Sequence, residues 1–312
     1  MAKPRILFMG TPAFALPALQ LLHAHKYPII GVVSQPDRPQ GRSLKEVAPP
    51  VKIMAQEFGL PIFQPEKVRD ASFLETFYQL KPDMVVVVAF GQILPKVIID
   101  YPPMQCLNIH PSLLPKYRGA APLNWPIISG ETKTGVTIML MDEGMDSGDI
   151  LLQQKTEIGA AETFGELHDR LAQLGAILLI KTIEQVVAGT TKRQPQDTSG
   201  VTFAPHLKKE TGKINWQDNV SDIVNLIRGL SPLPAAYTSL EGQILKIFSA
   251  EAKQNKISEA PGTIGAVSAT GLPIAASDGY VILKDVQLAG KKRMLISDFL
   301  RGYHLKPKTV LQ

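Results

Sequence analysis

Asn108, His110 and Asp146 are the side chains in this sequence best suited to do chemistry. The first two sit two residues apart in Asn108-Ile109-His110-Pro111-Ser112-Leu113-Leu114-Pro115. The third lies 31 residues past Pro115, in Met141-Asp142-Glu143-Gly144-Met145-Asp146-Ser147-Gly148. Together they offer an amide donor, an imidazole and a carboxylate, and the set needs no serine or cysteine nucleophile. It suits transfer of an acyl group to an amine that the substrate itself supplies. The Asn108 amide would donate to a developing oxyanion. His110 would accept the proton that the amine loses, and Asp146 would stabilise the resulting imidazolium. On residue type alone, Asn108 and His110 read equally well as a turn former and a strand-end histidine. A glycine-rich loop with acids is common in any turn. Cys106 is a conceivable nucleophile, but it reads better as a small apolar strand residue.

These groups need elements to position them. Residues 105–110 have the pattern of a short strand, and side chains at i and i+2 leave a strand on the same face. Asn108 and His110 would then share a cleft, with Ile109 turned away. Pro111 and Pro115 stop the strand and stiffen the following loop. In open α/β sheets, ligands sit beyond the carboxyl ends of the strands. Strand patterns also fall at 5–10, 29–34, 84–90 and 135–141. Continuous apolar runs such as 84–90 mark strands buried on both faces, hence a mainly parallel sheet. Helical patterns cover 13–25, 47–58, 70–80 and 163–188. Thr163 and Glu166 form a capping box at the start of the last, and Gly189 stops it. Residues 1–189 are therefore expected to be a doubly wound α/β domain, Rossmann-like and mainly parallel. The turn after the first strand is Gly10-Thr11-Pro12. It lacks the glycine fingerprint of dinucleotide sites, which argues against a nicotinamide oxidoreductase.

From 190 to 209 the chain turns polar, with Pro and Gly, and reads as a linker. Residues 210–312 carry a helical pattern near 219–229. Short runs follow at 235–240, 243–251, 262–268, 273–277, 279–284 and 293–296. Glu241-Gly242, Pro261-Gly262 and Asp278-Gly279 separate them as turns. A small antiparallel β-barrel, OB-like, is expected here. In the 228–234 segment, two prolines straight after a helix read as a rigid turn at the domain junction, without assigned chemistry.

At 312 residues, 45% hydrophobic and 20% charged, the chain is expected to be an ordinary soluble protein of two domains. Its one cysteine excludes a disulfide framework and fits a reducing compartment. Lys3 and Arg5 before an apolar stretch mimic a signal peptide, but Gly10-Thr11-Pro12 and Pro17 interrupt it. No window reaches the roughly 18 uninterrupted apolar residues of a membrane span. A cytoplasmic monomer with no membrane attachment is expected. The net charge of +5 is uneven: residues 1–189 hold 17 Lys+Arg against 18 Asp+Glu, and residues 190–312 hold 16 against 10. The basic second half suggests a nucleic-acid partner, or an ordinary solvated surface. Without Cys pairs or a His-x-x-x-His spacing, no metal is expected.

The 108–115 run, continued by Lys116-Tyr117-Arg118-Gly119-Ala120-Ala121-Pro122 and joined by Asp146 in the 142–149 loop, resembles the signature of 10-formyltetrahydrofolate-dependent formyltransferases. Three further features are similar to the branch of that family that formylates methionyl-tRNA. They are Gly10-Thr11-Pro12-Ala13-Phe14, Gln35-Pro36-Asp37-Arg38-Pro39-Gln40-Gly41-Arg42, and a basic C-terminal region with Pro261-Gly262-Thr263 and Gly290-Lys291-Lys292. The similarity runs over nearly the full chain. It implies transfer of the formyl group of 10-formyltetrahydrofolate to the α-amino group of methionine on initiator tRNA, with Asn108, His110 and Asp146 catalytic. Ser112, Leu113, Leu114 and Pro115 would contact the folate, and Val88, Ala89 and Gly91 would face the same cleft. Leu113 and Leu114 otherwise read as core. Arg38, Arg42 and Lys45 would reach the tRNA from a 35–51 loop expected to be disordered without it, or else simply a solvated loop. Lys208, Lys209, Lys213, Lys246, Lys291, Lys292 and Arg293 would contact phosphates. Alternatives are the same chemistry on a small amine such as glycinamide ribonucleotide or an amino sugar nucleotide, hydrolysis of the formyl donor, and a non-catalytic tRNA-binding protein.

Overall fold

A computed structural model describes residues 2–40, 45–267, 271–305 and 309–312. In chain order its elements begin with β1 (Ile6–Gly10), α1 (Leu16–Ala24), β2 (Ile29–Val33), β3 (Arg38–Gln40), β4 (Lys45–Val47), α2 (Pro50–Glu57), β5 (Ile62–Phe63) and α3 (Ala71–Leu80). Next come β6 (Met84–Val88), α4 (Lys96–Ile99), β7 (Cys106–His110), β8 (Arg118–Gly119), α5 (Asn124–Ile128), β9 (Lys133–Leu140), β10 (Ile150–Glu157) and α6 (Phe164–Ala188). The remainder are β11 (Phe203–Ala204), α7 (Val220–Leu230), β12 (Ala236–Leu240), β13 (Gln243–Gln254), β14 (Leu272–Ala275), β15 (Gly279–Leu288), β16 (Met294–Leu295) and α8 (Ile296–Gly302). They form two compact units. One gathers Met1–Gly119, Gly135–Thr156 and His168–Phe203; the other gathers Ala120–Thr134, Glu157–Leu167 and Ala204–Gln312.

The first unit is built on a seven-stranded sheet in the order β10-β9-β7-β6-β1-β2-β5. The pairs β1–β2, β1–β6, β2–β5 and β6–β7 are parallel. β9 runs antiparallel to β7, so the sheet is mainly parallel, as its apolar strands require. Every residue of β1 and β6 is buried. On one face Leu7, Met9, Val85, Val87 and Cys106 pack with Phe73, Phe77 and Ile98. On the other, α6 lies close to β7. A Cβ at Gly175 would stand 2.8 Å from Ile109 Cγ2 and 3.4 Å from Val136 Cγ1. The helix opens on its capping box: the Thr163 N–H and hydroxyl both donate to Glu166 Oε2 at 2.8 Å. Among the described residues α6 is the one helix whose length and composition would let it cross a membrane, yet half of that stretch is buried inside the protein. Leu171, Leu179 and Ile183 are fully enclosed, so core packing accounts for its apolar character.

Two features depart from the sequence expectation. The 35–51 loop, expected to lack structure, contains an antiparallel hairpin of β3 and β4. The edge strand β10 escaped notice because its burial does not alternate and its second half, Gln153-Gln154-Lys155-Thr156-Glu157, is mostly exposed.

The second unit holds antiparallel strands in the order β12-β13-β15-β14, with β16 added to β15. α7 buries Val220, Ile223, Ile227 and Leu230 into a core shared with Trp216, Leu245, Ile247, Val281 and Leu283. The 262–268 run, expected to be a strand, makes only isolated bridges at Thr263 and Ile264 among its described residues. The 228–234 segment, expected to be a turn, begins inside α7, and its helical residues have a packing role inside this unit. A Cβ at Gly229 would stand 2.6 Å from Ile128 Cγ1 of α5. Asn124 Nδ2 donates to Gly229 O at 2.8 Å. Arg228 is half-buried, and that burial lowers its guanidinium from its ordinary value; it donates to Asn225 Oδ1 and to the carbonyls of Gly159 and Glu162.

Gly175→Val should destabilise the first unit by about 1–3 kcal/mol through overpacking against Ile109. Thermal melting would show it; an unchanged midpoint would mean that α6 can move away from β7 at no cost.

Candidate active site

Along β7 only Asn108 is partly open; Cys106, Leu107, Ile109 and His110 are buried. The pleat that turns Ile109 toward α6 leaves Asn108 and His110 on the opposite face. The Asn108 carboxamide has no hydrogen-bond partner among the described residues. His110, with its side chain 4% exposed, is held at Nε2 and faces a carboxylate at Nδ1. Nε2 lies 3.0 Å from Tyr117 O, and Nδ1 lies 3.6 Å from Asp146 Oδ1. A carbonyl oxygen only accepts, so Nε2 carries hydrogen here and Nδ1 is the nitrogen turned to the carboxylate. Asp146 in turn accepts the Gly119 N–H at Oδ2, 2.9 Å away. The three expected residues therefore come together.

The loop after His110 is fixed by one hydroxyl. The register of β7 with β9 sets Thr137 directly across from His110. Thr137 Oγ1 donates to Ser112 O at 2.7 Å and accepts from the Leu114 N–H at 3.2 Å and from Gln153 Nε2 at 2.9 Å. That uses the one donor and both lone pairs of a threonine hydroxyl. Gln153 Nε2 also donates to Leu114 O at 2.8 Å, and the Ser112 hydroxyl donates to Lys116 O at 2.6 Å.

A donor amide, an imidazole and a carboxylate thus meet at the carboxyl end of a strand, and comparison with known proteins gives the family. Residues 4–183 match the model of the family described as formyl transferase, and residues 206–304 match the formyl transferase C-terminal domain. A methionyl-tRNA formyltransferase of Syntrophus aciditrophicus is 55% identical over 100% of both chains. Another, from Citrifermentans bemidjiense, is 46% identical over 100% of this chain and 97% of its own. The chain belongs to the methionyl-tRNA formyltransferase family. An N-formyltransferase from Helicobacter canadensis, solved with folinic acid and dTDP-3-aminofucose, shares the fold at a TM-score of 0.69 and 19% identity, over 93% of this chain and 99% of that one.

In this formyltransferase family member the segments expected to meet folate are unequal. Ser112, Leu114 and Val88 are buried. The Ser112 hydroxyl is engaged as above, and Leu114 packs with Met139 and Ile150. Leu113 is partly buried and its side chain lies against Gly135. Pro115 is half-buried, and Ala89 and Gly91 are exposed. Ala89 at φ +47° and Gly91 at φ +88° bend the chain after β6 into a loop with open backbone. Thr11 Oγ1 and Gln35 Nε2 pin that loop by donating to Phe90 O at 2.8 and 3.3 Å. Ile93, two residues on, is 92% exposed. Sequence reasoning missed Thr137, whose signal was a lone polar residue in an apolar strand, and Gln196, which had none.

The residues expected to meet tRNA are placed as follows. Arg38 lies on β3 and pairs with Glu66 at 2.8 Å, both well exposed, a contact worth at most about 1 kcal/mol and easily exchanged. Lys45 begins β4. Arg42 lies outside the described residues. The root of the hairpin is tied by Asp37, which accepts from Gln64 Nε2 at 2.8 Å and Lys52 Nζ at 2.7 Å. Those hydrogen bonds hold the Asp37 carboxyl below the usual carboxylate range. In the second unit Arg293 is engaged structurally: it donates to Asp285 Oδ2 and stands 4.2 Å over the Phe248 ring. Lys246 donates to Pro234 O. Lys208, Lys209, Lys213, Lys291 and Lys292 are exposed and make no ion pair among the described residues.

Thr137→Val keeps the shape but strands Ser112 O and the Leu114 N–H. It should cost about 1–3 kcal/mol of stability and lower kcat together with it. Denaturant melts beside steady-state rates check this; wild-type values in both would mean that the 111–116 loop does not depend on this hydroxyl.

Proposed function

We propose that this chain transfers the formyl group of 10-formyltetrahydrofolate to the α-amino group of methionine on initiator tRNA, with Asn108, His110 and Asp146 as its catalytic residues. The observation that carries the reading is the free Asn108 carboxamide beside a histidine whose Nδ1 faces a carboxylate. As the amine nitrogen attacks the formyl carbon, the formyl oxygen gains charge, and Asn108 donates to it. The amine loses a proton, which Nδ1 of His110 is placed to hold, while Asp146 balances the imidazolium. The same proton then serves the departing folate nitrogen. Main chain around Ala89 and Gly91 supplies the polar groups, and Ser112, Leu113, Leu114, Pro115 and Val88 the apolar wall, suited to a flat pterin.

The acceptor reading rests on charge and on the family. The C-terminal antiparallel strands are read as an OB-like barrel whose free lysines grip phosphates without reading sequence. The hairpin that carries Arg38 and Lys45, with Arg42 between them in sequence, is read as the part that meets the acceptor end of the tRNA. A monomer working in the cytoplasm is part of the same reading, and a single buried thiol suits that reducing compartment. An assay offering charged initiator tRNA, free methionine and glycinamide ribonucleotide side by side tests the whole. Transfer to a small amine would keep the catalytic trio and refute the tRNA reading.

Asn108→Ala should lower kcat by on the order of 100- to 1000-fold, the equivalent of about 2.7–4 kcal/mol, and leave tRNA affinity nearly intact. Equal losses in both would sink its role as an oxyanion donor. Arg42→Ala should raise the KM for tRNA and spare that for folate; an unchanged tRNA KM would refute the contact.

A further inference from the structure

Gln196 lies between the two family matches, in a stretch whose composition reads as a linker. Its side chain is nevertheless fully engaged within the first unit. Nε2 donates to Asp146 O at 2.8 Å and to Gly148 O at 2.7 Å. Oε1 accepts from Arg118 Nε at 3.1 Å and Nη2 at 2.7 Å. Beside it Gln194 and Ile150 exchange main-chain hydrogen bonds at 2.8 and 2.9 Å. One carboxamide therefore ties the backbone of the Asp146 loop to Arg118, and Gly119 next door donates to the Asp146 carboxylate.

The loop needs such a fastening. Leu140, the last residue of β9, pairs with Leu107. His110 is three residues further along β7, about 10 Å at the rise of a strand. The chain has to turn back over that distance to bring Asp146 to His110. It does so through a segment in which 142–145 are exposed, and Asp146 itself sits at φ +50°. A non-glycine residue held in this left-handed region persists only where surrounding contacts over-determine it. Gln196 supplies two of those contacts, at the carbonyls of Asp146 and of Gly148.

We propose that Gln196 is a positioning residue for the formyl-transfer centre, holding the Asp146 carboxylate toward His110. This rests on the role given to Asp146 above. Gln196→Ala then lowers kcat by on the order of ten- to a hundred-fold, as misplacement of a reacting group does, with both KM values little changed. Gln196→Glu keeps the Arg118 contact but has no donor for the two carbonyls, and it loses as much as Gln196→Ala.

The test is a double-mutant cycle of Gln196→Ala with Asp146→Asn, read in single-turnover rates, with thermal melts of every variant. If Gln196 acts through Asp146, its loss costs nothing further in the Asp146→Asn background. Wild-type kcat in Gln196→Ala overturns the proposal, and so does a full additional loss in that background. Should Gln196→Ala not fold, Gln196→Glu carries the same cycle. The two failures differ. An active Asp146→Asn enzyme removes the role of Asp146 and this proposal with it, whereas an inactive one beside an unaffected Gln196→Ala removes only Gln196.

Discussion

The antiparallel pairing of β9 with β7 is the constraint on which the cleft depends. The other strand neighbours of the inner sheet run parallel and leave their loops at the common carboxyl edge. β9 runs the other way, so its register alone decides which of its residues flank the functional end of β7. The pairing sets Thr137 across from His110, where a hydroxyl on a strand can reach a loop on its neighbour. It also delivers the 141–149 segment to the far end of the same strand. A slip of one residue would turn Thr137 to the other face of the sheet. The two-sided burial of β1 and β6 fixes the sheet against its helices, and the close approach of α6 at Gly175 keeps β7 and β9 level with each other.

Polar groups in the cleft divide into those with partners and those without. Thr137, Ser112 and the Asp146 carboxylate all have protein partners, as buried or strained positions demand. Asn108 stands apart. It occupies the single partly open position of its strand, so its carboxamide can remain without a protein partner in the cleft at little cost in water. A donor with no partner of its own needs no rearrangement when a substrate oxygen arrives. His110 is the intermediate case. Its Nε2 is held by the carbonyl of Tyr117, which fixes the ring and leaves the other nitrogen for the chemistry.

The fold was legible to the extent that burial is two-sided. β1, β2, β6, β7 and β9 announce themselves as apolar runs, and α6 as a capped stripe. β10 and the β3–β4 hairpin do not, because an edge strand or a surface ribbon carries polar residues that look like loop. The 262–268 run failed in the opposite sense: apolar and small residues there make bridges at Thr263 and Ile264 rather than a strand. For the site, Asn108 and His110 followed from a two-residue spacing on one strand. The partnership with Asp146 did not, since it depends on a loop that turns back on itself. The hydrogen bonds of Gln196 were invisible because a glutamine among polar neighbours has no periodic signature.

Cys106 begins the strand that ends at His110. Its thiol is buried among Val85, Phe73 and Ile98, and burial raises its pKa well above that of an ordinary thiol. Thiolate, the form that reacts, is thereby withheld from solvent. Alkylating reagents and peroxides find no handle four residues from the imidazole. The native chain should therefore take up thiol reagents slowly, and a spectroscopic label attached to a cysteine introduced on the surface should report from that position, with the natural residue left in place.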